Sequence, residues 1–463
     1  MRAIIRFPGG EYPLASMFEV YIMRLLLSVA VALAAGLLMT RVIKPLKLPA
    51  VTAYLIAGVL IGPYVLGRAG VPGLGFVTHD EVTSLHLLSE VALGFIAFAI
   101  GNEFRISQLK GTGKQATVIG ILQAVAATVV VDAVLIGLHF VLGDKLPLSA
   151  AITLGAIASA TAPAATLMVV RQYKAKGRLT DLLLPIVALD DAVGLVIFAV
   201  SFGVAKSLET GTFDIVSMAV NPLVEVAASL ALGALMGLLF SKMERWFNSN
   251  SKRLCLSVTF VLLAVGLSMI EIQAGPVRIG FSILLVCMML GTVFCNLCDF
   301  SPDLMDKADK WTVPVYVLFF VLSGAELELG VFRDVAVVGI GLVYIISRSA
   351  GKYFGALGSA SLVGVDTDVK KWLGITLLPQ AGVALGMSIT ASSLAQSGSI
   401  VRNIVLFSVL IYELVGPVLT KIALTHTGDI SPMSDEVRQR RSRLYESMKE
   451  AKRPAEPEGT KKT

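Results

Sequence analysis

The stretch PIVALDDAVGLVIF, residues 185–198, places two adjacent aspartates, Asp190 and Asp191, inside an otherwise apolar run. Apolar residues on both sides extend this run over residues 179–206, which is long enough for a helix to cross a bilayer. Both carboxyl groups would then lie near the middle of the membrane, where a charge needs a partner, a water-filled cavity or a function. The pair therefore predicts a membrane-spanning fold with a functional site inside it.

The composition of the whole chain is typical of a polytopic membrane protein. Of the 463 residues, 55% are hydrophobic and only 16% are charged, and the mean hydropathy is +0.79. Soluble domains carry roughly 25% charged residues. Apolar runs of membrane-crossing length recur along the chain and predict an all-α protein with thirteen transmembrane helices. The predicted spans are 20–40, 48–66, 84–102, 116–141, 149–171, 179–206, 215–240, 253–271, 277–297, 311–330, 334–360, 370–395 and 400–425.

Basic residues in the loops predict the orientation of the chain. Counted together with the adjoining ends of the spans, the loops after odd-numbered spans carry 18 Lys and Arg residues in total, whereas those after even-numbered spans carry 6. Cytoplasmic loops are enriched in Lys and Arg, so we expect the N-terminus outside the cell membrane and the C-terminus in the cytoplasm. Residues 1–19 would form an extracytoplasmic segment, 20–427 the transmembrane domain and 428–463 a polar cytoplasmic tail. The net charge of +6 fits basic cytoplasmic loops and does not indicate nucleic-acid binding.

The chemistry of the aspartate pair favours ion exchange. Adjacent helical residues point about 100° apart, so Asp190 and Asp191 cannot face the same partner. One carboxylate can pair with a basic residue on another helix while the other faces a cavity. Repulsion and burial favour a protonated carboxyl, which can exchange its proton for a metal cation. A cation/proton antiporter needs this exchange.

Two spans carry residues that interrupt a helix in the middle of the membrane. Span 5 contains ASATAPAATL, residues 158–167, with Pro163 close to Thr161. Span 12 contains LLPQAGVALG, residues 377–386, with Pro379 and Gly382. An interrupted helix offers backbone carbonyls and helix ends near the midplane, where a cation can find oxygen ligands.

The positions of the two interrupted spans predict an inverted repeat. Spans 4–6 and spans 11–13 form three-helix groups, each with its interrupted helix in the middle. The two groups start an odd number of spans apart, so they cross the membrane in opposite directions. Many secondary transporters are built in this way and bind substrate where the repeats meet.

Three further charged residues lie at membrane depth near the predicted site. Lys352, in span 11, needs a carboxylate partner, for which Asp190 is the available candidate. Arg348 precedes it by four residues and lies on a similar face of the helix. For both basic residues the alternative is that the side chain reaches the membrane boundary. Glu413, in YELVGP of span 13, has either a structural or a functional role in the same group of helices.

The ordered set of motifs resembles the monovalent cation:proton antiporter superfamily, in the branch of Nha/Nap-type sodium/proton antiporters and the related Kef-type transporters. The resemblance covers residues 20–425. The motifs, in the order of the family, are LPAVTAYLIAGVLIGP, LSEVALGFIAFAIGNEF, ASATAPAATL, ALDDAVG, GKYFGALG, LLPQAGVALG and YELVGP.

The resemblance implies residue roles as well as a fold. It assigns cation and proton binding to Asp191, a lysine-paired carboxylate to Asp190, and the pairing lysine to Lys352. It also implies that spans 5 and 12 cross as unwound segments beside the aspartates, with Thr161 and backbone carbonyls assisting. The unwound residues are Ala160, Ala162, Pro163, Pro379, Gln380 and Gly382.

The resemblance further implies how such a protein works. We expect a homodimer whose mobile core, about residues 116–206 and 334–425, moves against a dimerisation scaffold in an elevator-like motion within the lipid bilayer. Two adjacent aspartates are associated with electrogenic exchange of Na⁺, or alternatively Li⁺, for protons, in sodium and pH homeostasis. Some relatives have an aspartate in the first unwound segment, at the position that Ala162 occupies in this chain.

Other classes of function fit the sequence less well. The runner-up is a Kef-like K⁺/H⁺ antiporter or a cation channel, although the short tail offers no Kef-type nucleotide-binding domain. An intramembrane aspartic protease needs its two aspartates on separate helices, so we expect no enzymatic activity. The chain has no GxxxxGK[ST] phosphate loop or dinucleotide fingerprint, and we expect no cofactor.

Overall fold

The computed structural model describes the chain as a bundle of long helices. It describes residues 4–7, 10–46, 48–69, 75–102, 104, 106–211, 220–247, 249–270, 272–274, 277–298, 301–327 and 329–430. Residues 431–463, nearly all of the predicted polar tail, lie outside the described residues.

The described residues form sixteen α-helices, two short antiparallel hairpins and four short 3-10 helices. The α-helices are α1 (Leu14–Ile43), α2 (Ala50–Ile61), α3 (His79–Thr83), α4 (His86–Asn102), α5 (Ile106–Leu142), α6 (Leu148–Ile157), α7 (Pro163–Tyr173), α8 (Arg178–Thr210), α9 (Asn221–Glu244), α10 (Asn250–Ser268), α11 (Ile283–Leu297), α12 (Ser301–Glu326), α13 (Val335–Leu362), α14 (Thr367–Thr376), α15 (Gly382–Ala391) and α16 (Gly398–His426). The hairpins pair β1 (Ile4–Phe7) with β2 (Gly10–Pro13), and β3 (Ile272–Ala274) with β4 (Val277–Ile279). The 3-10 helices are Lys44–Leu46, Gly67–Ala69, Gly143–Lys145 and Leu329–Arg333.

The predicted helical architecture with two interrupted spans is confirmed. Spans 5 and 12 each consist of two half-helices, α6 with α7 and α14 with α15, and each of the other spans contains one continuous helix. The helix of span 9 is shorter than predicted: it begins at Ile283, because residues 277–279 form strand β4. Within the described residues, seven helices are individually long and apolar enough to cross a membrane. The shorter apolar helices α2, α4, α6, α11 and α15 complete the bundle.

Two helices begin earlier than their apolar runs predict. Helix α5 begins at Ile106 and α12 at Ser301, each ten residues before the predicted start of its span. Hydropathy marks only the part of a helix that suits the bilayer, whereas Lys, Ala, Leu and Met are good helix formers in water as well. Polar turns therefore extend both helices beyond the membrane-spanning length.

The buried side chains form two clusters. One joins α5, α6, α13, α15 and α16, the helices around the interrupted spans. The other joins α1, α2, α4, α9, α10, α11 and α12 with α7, the first part of α8 and residues near one end of α5, α13, α14 and α16. The division into a mobile core and a dimerisation scaffold stays a prediction.

The first residues of the predicted polar tail are buried. The Asp429 carboxylate accepts hydrogen bonds of 2.7 Å from both the backbone N–H and the hydroxyl of Thr180, at the start of α8. The backbone N–H of Lys176 donates to the carbonyl of Asp429 at 2.9 Å, and Ile430 is buried beside it. Asp429 and Ile430 therefore belong to the helical bundle, because the capping of α8 removes Asp429 from solvent.

Two glycines set the close approach of α2 and α12. A Cβ atom on Gly58 would lie 2.0 Å from the carbonyl oxygen of Val321, and one on Gly324 would lie 2.2 Å from that of Leu55. Small residues allow membrane helices to pack backbone against backbone, where dispersion contacts hold the helices together. The close crossing of α2 and α12 therefore depends on glycine, which has no side chain, at both positions.

We expect Gly58→Ala to lower the thermal unfolding temperature, because the new methyl group must push α2 away from α12. Overpacking of this kind costs about 1–3 kcal/mol. Gly137→Ala on α5 is the matched control, since no described atom outside the helix backbone lies within 4 Å of its Cβ position. Equal unfolding temperatures for the two variants in detergent would contradict the packing argument.

Candidate ion-binding site

The two interrupted spans meet at their breaks. Helix α6 ends at Ile157 and α7 begins at Pro163, while α14 ends at Thr376 and α15 begins at Gly382. The backbone N–H of Ala162 in one break donates a 2.8 Å hydrogen bond to the carbonyl of Pro379 in the other. The four half-helices therefore cross at these two breaks.

Proline explains why the first break lies where it does. Pro163 is the first residue of α7, where its missing N–H is not needed. The residue before a proline is disfavoured in the helical conformation, and Ala162 is extended, with φ −83° and ψ 106°. In the second break, Pro379 lies in the non-helical segment 378–381, whose last residue, Ala381, has φ −155° and ψ −135°.

Arg348 joins the two breaks through their carbonyls. Its side chain is fully buried and donates hydrogen bonds to the carbonyls of Ala158 at 3.1 Å and Ala160 at 2.6 Å, both after the end of α6. A third hydrogen bond of 2.7 Å reaches the carbonyl of Leu378, after the end of α14. The guanidinium also lies over the ring of Tyr412, 4.5 Å from its centre. The alternative that Arg348 reaches the membrane boundary is wrong in this structure.

Lys352 connects the first break to the aspartate pair. It is fully buried, and its Nζ donates to the carbonyl of Ser159 at 2.5 Å and to the hydroxyl of Thr161 at 2.9 Å. It also forms an ion pair of 2.8 Å with Asp190. The structure thus brings together Lys352, Thr161 and Asp190, which the sequence placed on three different spans.

The carboxylate of Asp190 is surrounded by donors. The Thr161 hydroxyl lies 2.5 Å from the oxygen that binds Lys352, and the Gln123 side-chain amide donates to the other oxygen. Gln123 is fully buried on α5 and also donates to the carbonyl of Gly120. Our sequence analysis missed Gln123, although an amide in the middle of an apolar span was a signal that could have found it.

Asp191 has the opposite environment. Its side chain is buried, with 5% exposure, yet neither carboxylate oxygen has a hydrogen-bond partner among the described residues. Burying an unpaired carboxylate is unfavourable unless it takes up a proton or a cation. The turn of 100° between adjacent helical residues separates the two environments, so one aspartate is held by protein donors and the other is available to a ligand.

Most of the backbone carbonyls in the two breaks, which we expected to be free for a cation, already accept a hydrogen bond from the protein. The carbonyls of residues 158–160 and 378 accept from Arg348 or Lys352. The carbonyl of Pro379 accepts from the backbone N–H of Ala162. The carbonyl of Leu377 lies 3.2 Å from the Thr161 hydroxyl, whose single proton is directed to the nearer Asp190 carboxylate. Buried charged donors outcompete other partners for these oxygens, because charge-assisted hydrogen bonds are the stronger ones.

Gln380 and Gly382 have structural positions in the second break. The Gln380 amide donates to the carbonyl of Ile157 at 3.0 Å and to the Tyr344 hydroxyl at 3.1 Å, so it fixes one break against the end of α6. Gly382 begins α15, and no described atom lies within 4 Å of the position of its missing Cβ. A side chain at position 382 would therefore meet no steric clash, so packing does not require a glycine there.

A cavity of about 570 Å³ reaches the breaks from one side of the bundle. Its inner wall includes Ala162, Pro163, Ala381 and Gly382. His79 and the residues around His86 line it on the side that the basic residues predict as extracytoplasmic. Glu413 also lines this cavity and is buried, with 5% exposure.

Known proteins resemble this chain over most of its length. A family profile described as "Sodium/hydrogen exchanger, transmembrane" matches residues 16–426. Cation/H(+) antiporter 19 of Arabidopsis thaliana is 23% identical over 77% of this chain, but the match covers only 44% of that relative. Na(+)/H(+) antiporter 1 of Methanocaldococcus jannaschii is 24% identical over 71% of this chain and 75% of the relative.

Solved structures share the fold. The structure of the sodium proton antiporter MjNhaP1 from Methanocaldococcus jannaschii at pH 8 superimposes with a TM-score of 0.63 and 18% identity. The superposition covers 88% of this chain and 99% of that structure. At this level of identity the likeness shows the fold alone.

We expect Arg348→Lys to destabilise the protein, because a single ammonium cannot replace a planar fork that reaches three carbonyls on two breaks. Each buried carbonyl left without a donor costs about 1–3 kcal/mol. Thermal unfolding in detergent measures the loss. Arg178→Lys, in an exposed ion pair with Asp366, is the matched control and should change stability by less than about 0.5 kcal/mol. If Arg178→Lys loses as much stability as Arg348→Lys, the proposed role of Arg348 in joining the two breaks is contradicted.

Proposed function

Because the chain belongs to the sodium/hydrogen exchanger family of transmembrane proteins, as its motifs predicted, we propose that it is a cation/proton antiporter that exchanges Na⁺ for protons. The observation that carries the proposal is Asp191, a buried carboxylate whose oxygens have no hydrogen-bond partner among the described residues. The names of the relatives include both sodium/proton and general cation/proton antiporters. The choice of Na⁺ over Li⁺ or K⁺ is part of the proposal.

The charges around the site favour binding of one monovalent cation. Arg348 offsets the partial negative charges at the ends of α6 and α14, about −0.5 each. Asp190, Asp191 and Lys352 then leave one net negative charge when all three are ionised. One Na⁺ or one proton at Asp191 neutralises this charge, so the two ligands compete for the same carboxylate.

Lys352 supplies the second proton of the proposed cycle. Na⁺ bound at Asp191 competes electrostatically with the Lys352 ammonium for Asp190, which favours loss of a proton from Lys352. The return step has Asp191 protonated and the Lys352–Asp190 ion pair formed again. Two protons then cross for each cation, so transport carries one net charge and responds to the membrane potential.

Two hydrogen-bonded clusters support an elevator-like motion of a single rigid unit. On one side of the bundle, Glu209 of α8 accepts hydrogen bonds of 2.8 Å from Ser149 and 2.5 Å from Ser397. On the other side, Asp429 ties the end of α16 to the start of α8. The first half of span 5 and both ends of α16 are thus fixed to α8, which carries the aspartate pair, so these helices would move together with the ion site. We further propose a homodimer in the cell membrane, with the C-terminus in the cytoplasm.

Asp191→Asn should abolish exchange, because an amide can neither release a proton nor bind a cation as a counter-charge. The measurement is cation-evoked proton movement in proteoliposomes with a pH-sensitive dye, with Na⁺, Li⁺ and K⁺ added in turn. Asp144→Asn, at an exposed position outside the spans, is the matched control and should keep wild-type exchange. Full exchange by Asp191→Asn would refute the site, and cation flux without proton movement in the wild type would indicate a channel.

The double variant Asp190→Asn, Lys352→Ala should become insensitive to the membrane potential, because only the proton of Asp191 remains to exchange for a cation. Exchange rates in proteoliposomes at clamped potentials of opposite sign measure this property. The wild-type rate should change with the sign of the clamp. A double variant that still follows the potential would show that Lys352 does not carry the second proton, provided that its thermal unfolding shows a folded protein.

A further inference from the structure

The cavity contains a second buried carboxyl group that the proposed exchange cycle does not use. Glu413 lies on α16 with 5% of its surface exposed, and its Oε2 atom has no hydrogen-bond partner among the described residues. The side chain lines the cavity together with the residues of both breaks. A carboxylate in this setting needs a counter-charge from its surroundings or from a ligand.

The ends of two half-helices supply part of that counter-charge. Helices α7 and α15 both begin at the inner wall of the cavity, at Pro163 and Gly382. Their N-cap residues, Ala162 and Ala381, form no side-chain cap. The N-terminus of a helix carries about +0.5 of an elementary charge, which favours an ionised carboxylate nearby.

A second carboxylate makes the local charge negative. Glu326, at the end of α12, lines the same cavity, so its carboxylate would repel that of Glu413 when both are ionised. Two carboxylates and two helix N-termini of about +0.5 each leave about one negative charge. One monovalent cation offsets this charge. The hydroxyl groups of Ser323 and Ser388 also line the cavity and add oxygen ligands of the kind that such cations prefer.

We infer that Glu413 and Glu326 bind one monovalent cation in this cavity, at a site distinct from Asp190 and Asp191. The chemical class of the ligand rests on the proposed cation/proton exchange. Because the cavity wall includes the breaks beside the aspartate pair, the second site would hold a cation on its way between the surface and Asp191. Glu413 thus supplies, from span 13, a carboxylate beside the break in which Ala162 offers none.

Four other charged or titratable groups line the cavity. His79 and His86 interact electrostatically with Glu326, and His86 lies 3.5 Å from Glu90 on one face of α4. Arg402 lies about 16 Å from Glu413 along α16, so it is not a neighbour of that carboxyl group. Glu90 therefore offers a matched control, since Glu90→Gln removes the same charge from the same cavity without removing a proposed ligand.

The test is cation-dependent thermal unfolding of the purified full chain in detergent, with NaCl compared against choline chloride at equal ionic strength. A bound cation raises the unfolding temperature, because it stabilises only the folded state. Asp191→Asn should keep a Na⁺-specific rise through the second site. In Asp191→Asn, Glu413→Gln the rise should fall to less than about a quarter of that value, since both sites are then removed.

The controls separate a ligand from a general effect of charge and from misfolding. Asp191→Asn, Glu90→Gln should keep the rise of Asp191→Asn. Should Glu413→Gln fail to fold, Glu326→Gln on a different helix must also remove the rise in the Asp191→Asn background. A rise that is absent in Asp191→Asn, or that survives the loss of Glu413 or of Glu326, overturns the second site.

The unfolding test of the second site and the proteoliposome test of antiport can fail independently of each other. A wild-type protein without proton-coupled exchange, but with a Na⁺-specific rise that depends on Glu413 in the Asp191→Asn background, would refute the proposed antiport and support the second site. Exchange that is abolished by Asp191→Asn, without any such rise, would support antiport and refute the second site.

Discussion

Interrupting a helix inside a membrane leaves backbone carbonyls without donors, and the structure depends on how they are satisfied. Two breaks expose such carbonyls at the ends of α6 and α14. Arg348 and Lys352, one helical turn apart on α13, donate to four of them. An uncompensated carbonyl in hydrocarbon costs several kcal/mol, so neither the breaks nor the two buried cations would be stable without the other.

The same arrangement explains how two adjacent aspartates acquire different properties. Lys352, Thr161 and Gln123 surround Asp190, so its charge is matched inside the protein. Asp191 points in another direction along the helix and has no such donors among the described residues. The proposed exchange of a proton for a cation at Asp191 depends on this contrast, because a fully paired carboxylate has little to gain from a ligand.

Helix ends give the site an internal balance of charge. The C-terminal ends of α6 and α14 attract the basic residues of α13, while the N-terminal ends of α7 and α15 line the cavity near Glu413. The basic side chains therefore lie at the C-terminal ends of the crossing half-helices, and the carboxyl group of Glu413 lies near the N-terminal ends, as helix dipoles favour. The cavity side of the crossing is therefore where a further carboxylate is stabilised and where a second cation is proposed to bind.

The sequence by itself determined the architecture, because apolar length, mid-span prolines and the order of the motifs are local properties of the chain. It predicted thirteen spans, the two interrupted helices and the candidates Asp190, Asp191, Thr161 and Lys352. It could not predict that Arg348 holds both breaks, that Gln123 binds Asp190, or that Glu413 and the breaks line one cavity. These contacts join residues between about 30 and 250 positions apart, and only tertiary packing decides which distant donor meets which carbonyl or carboxylate. The expectation of free carbonyls differed from the structure for the same reason, since the competing donors lie on a different helix.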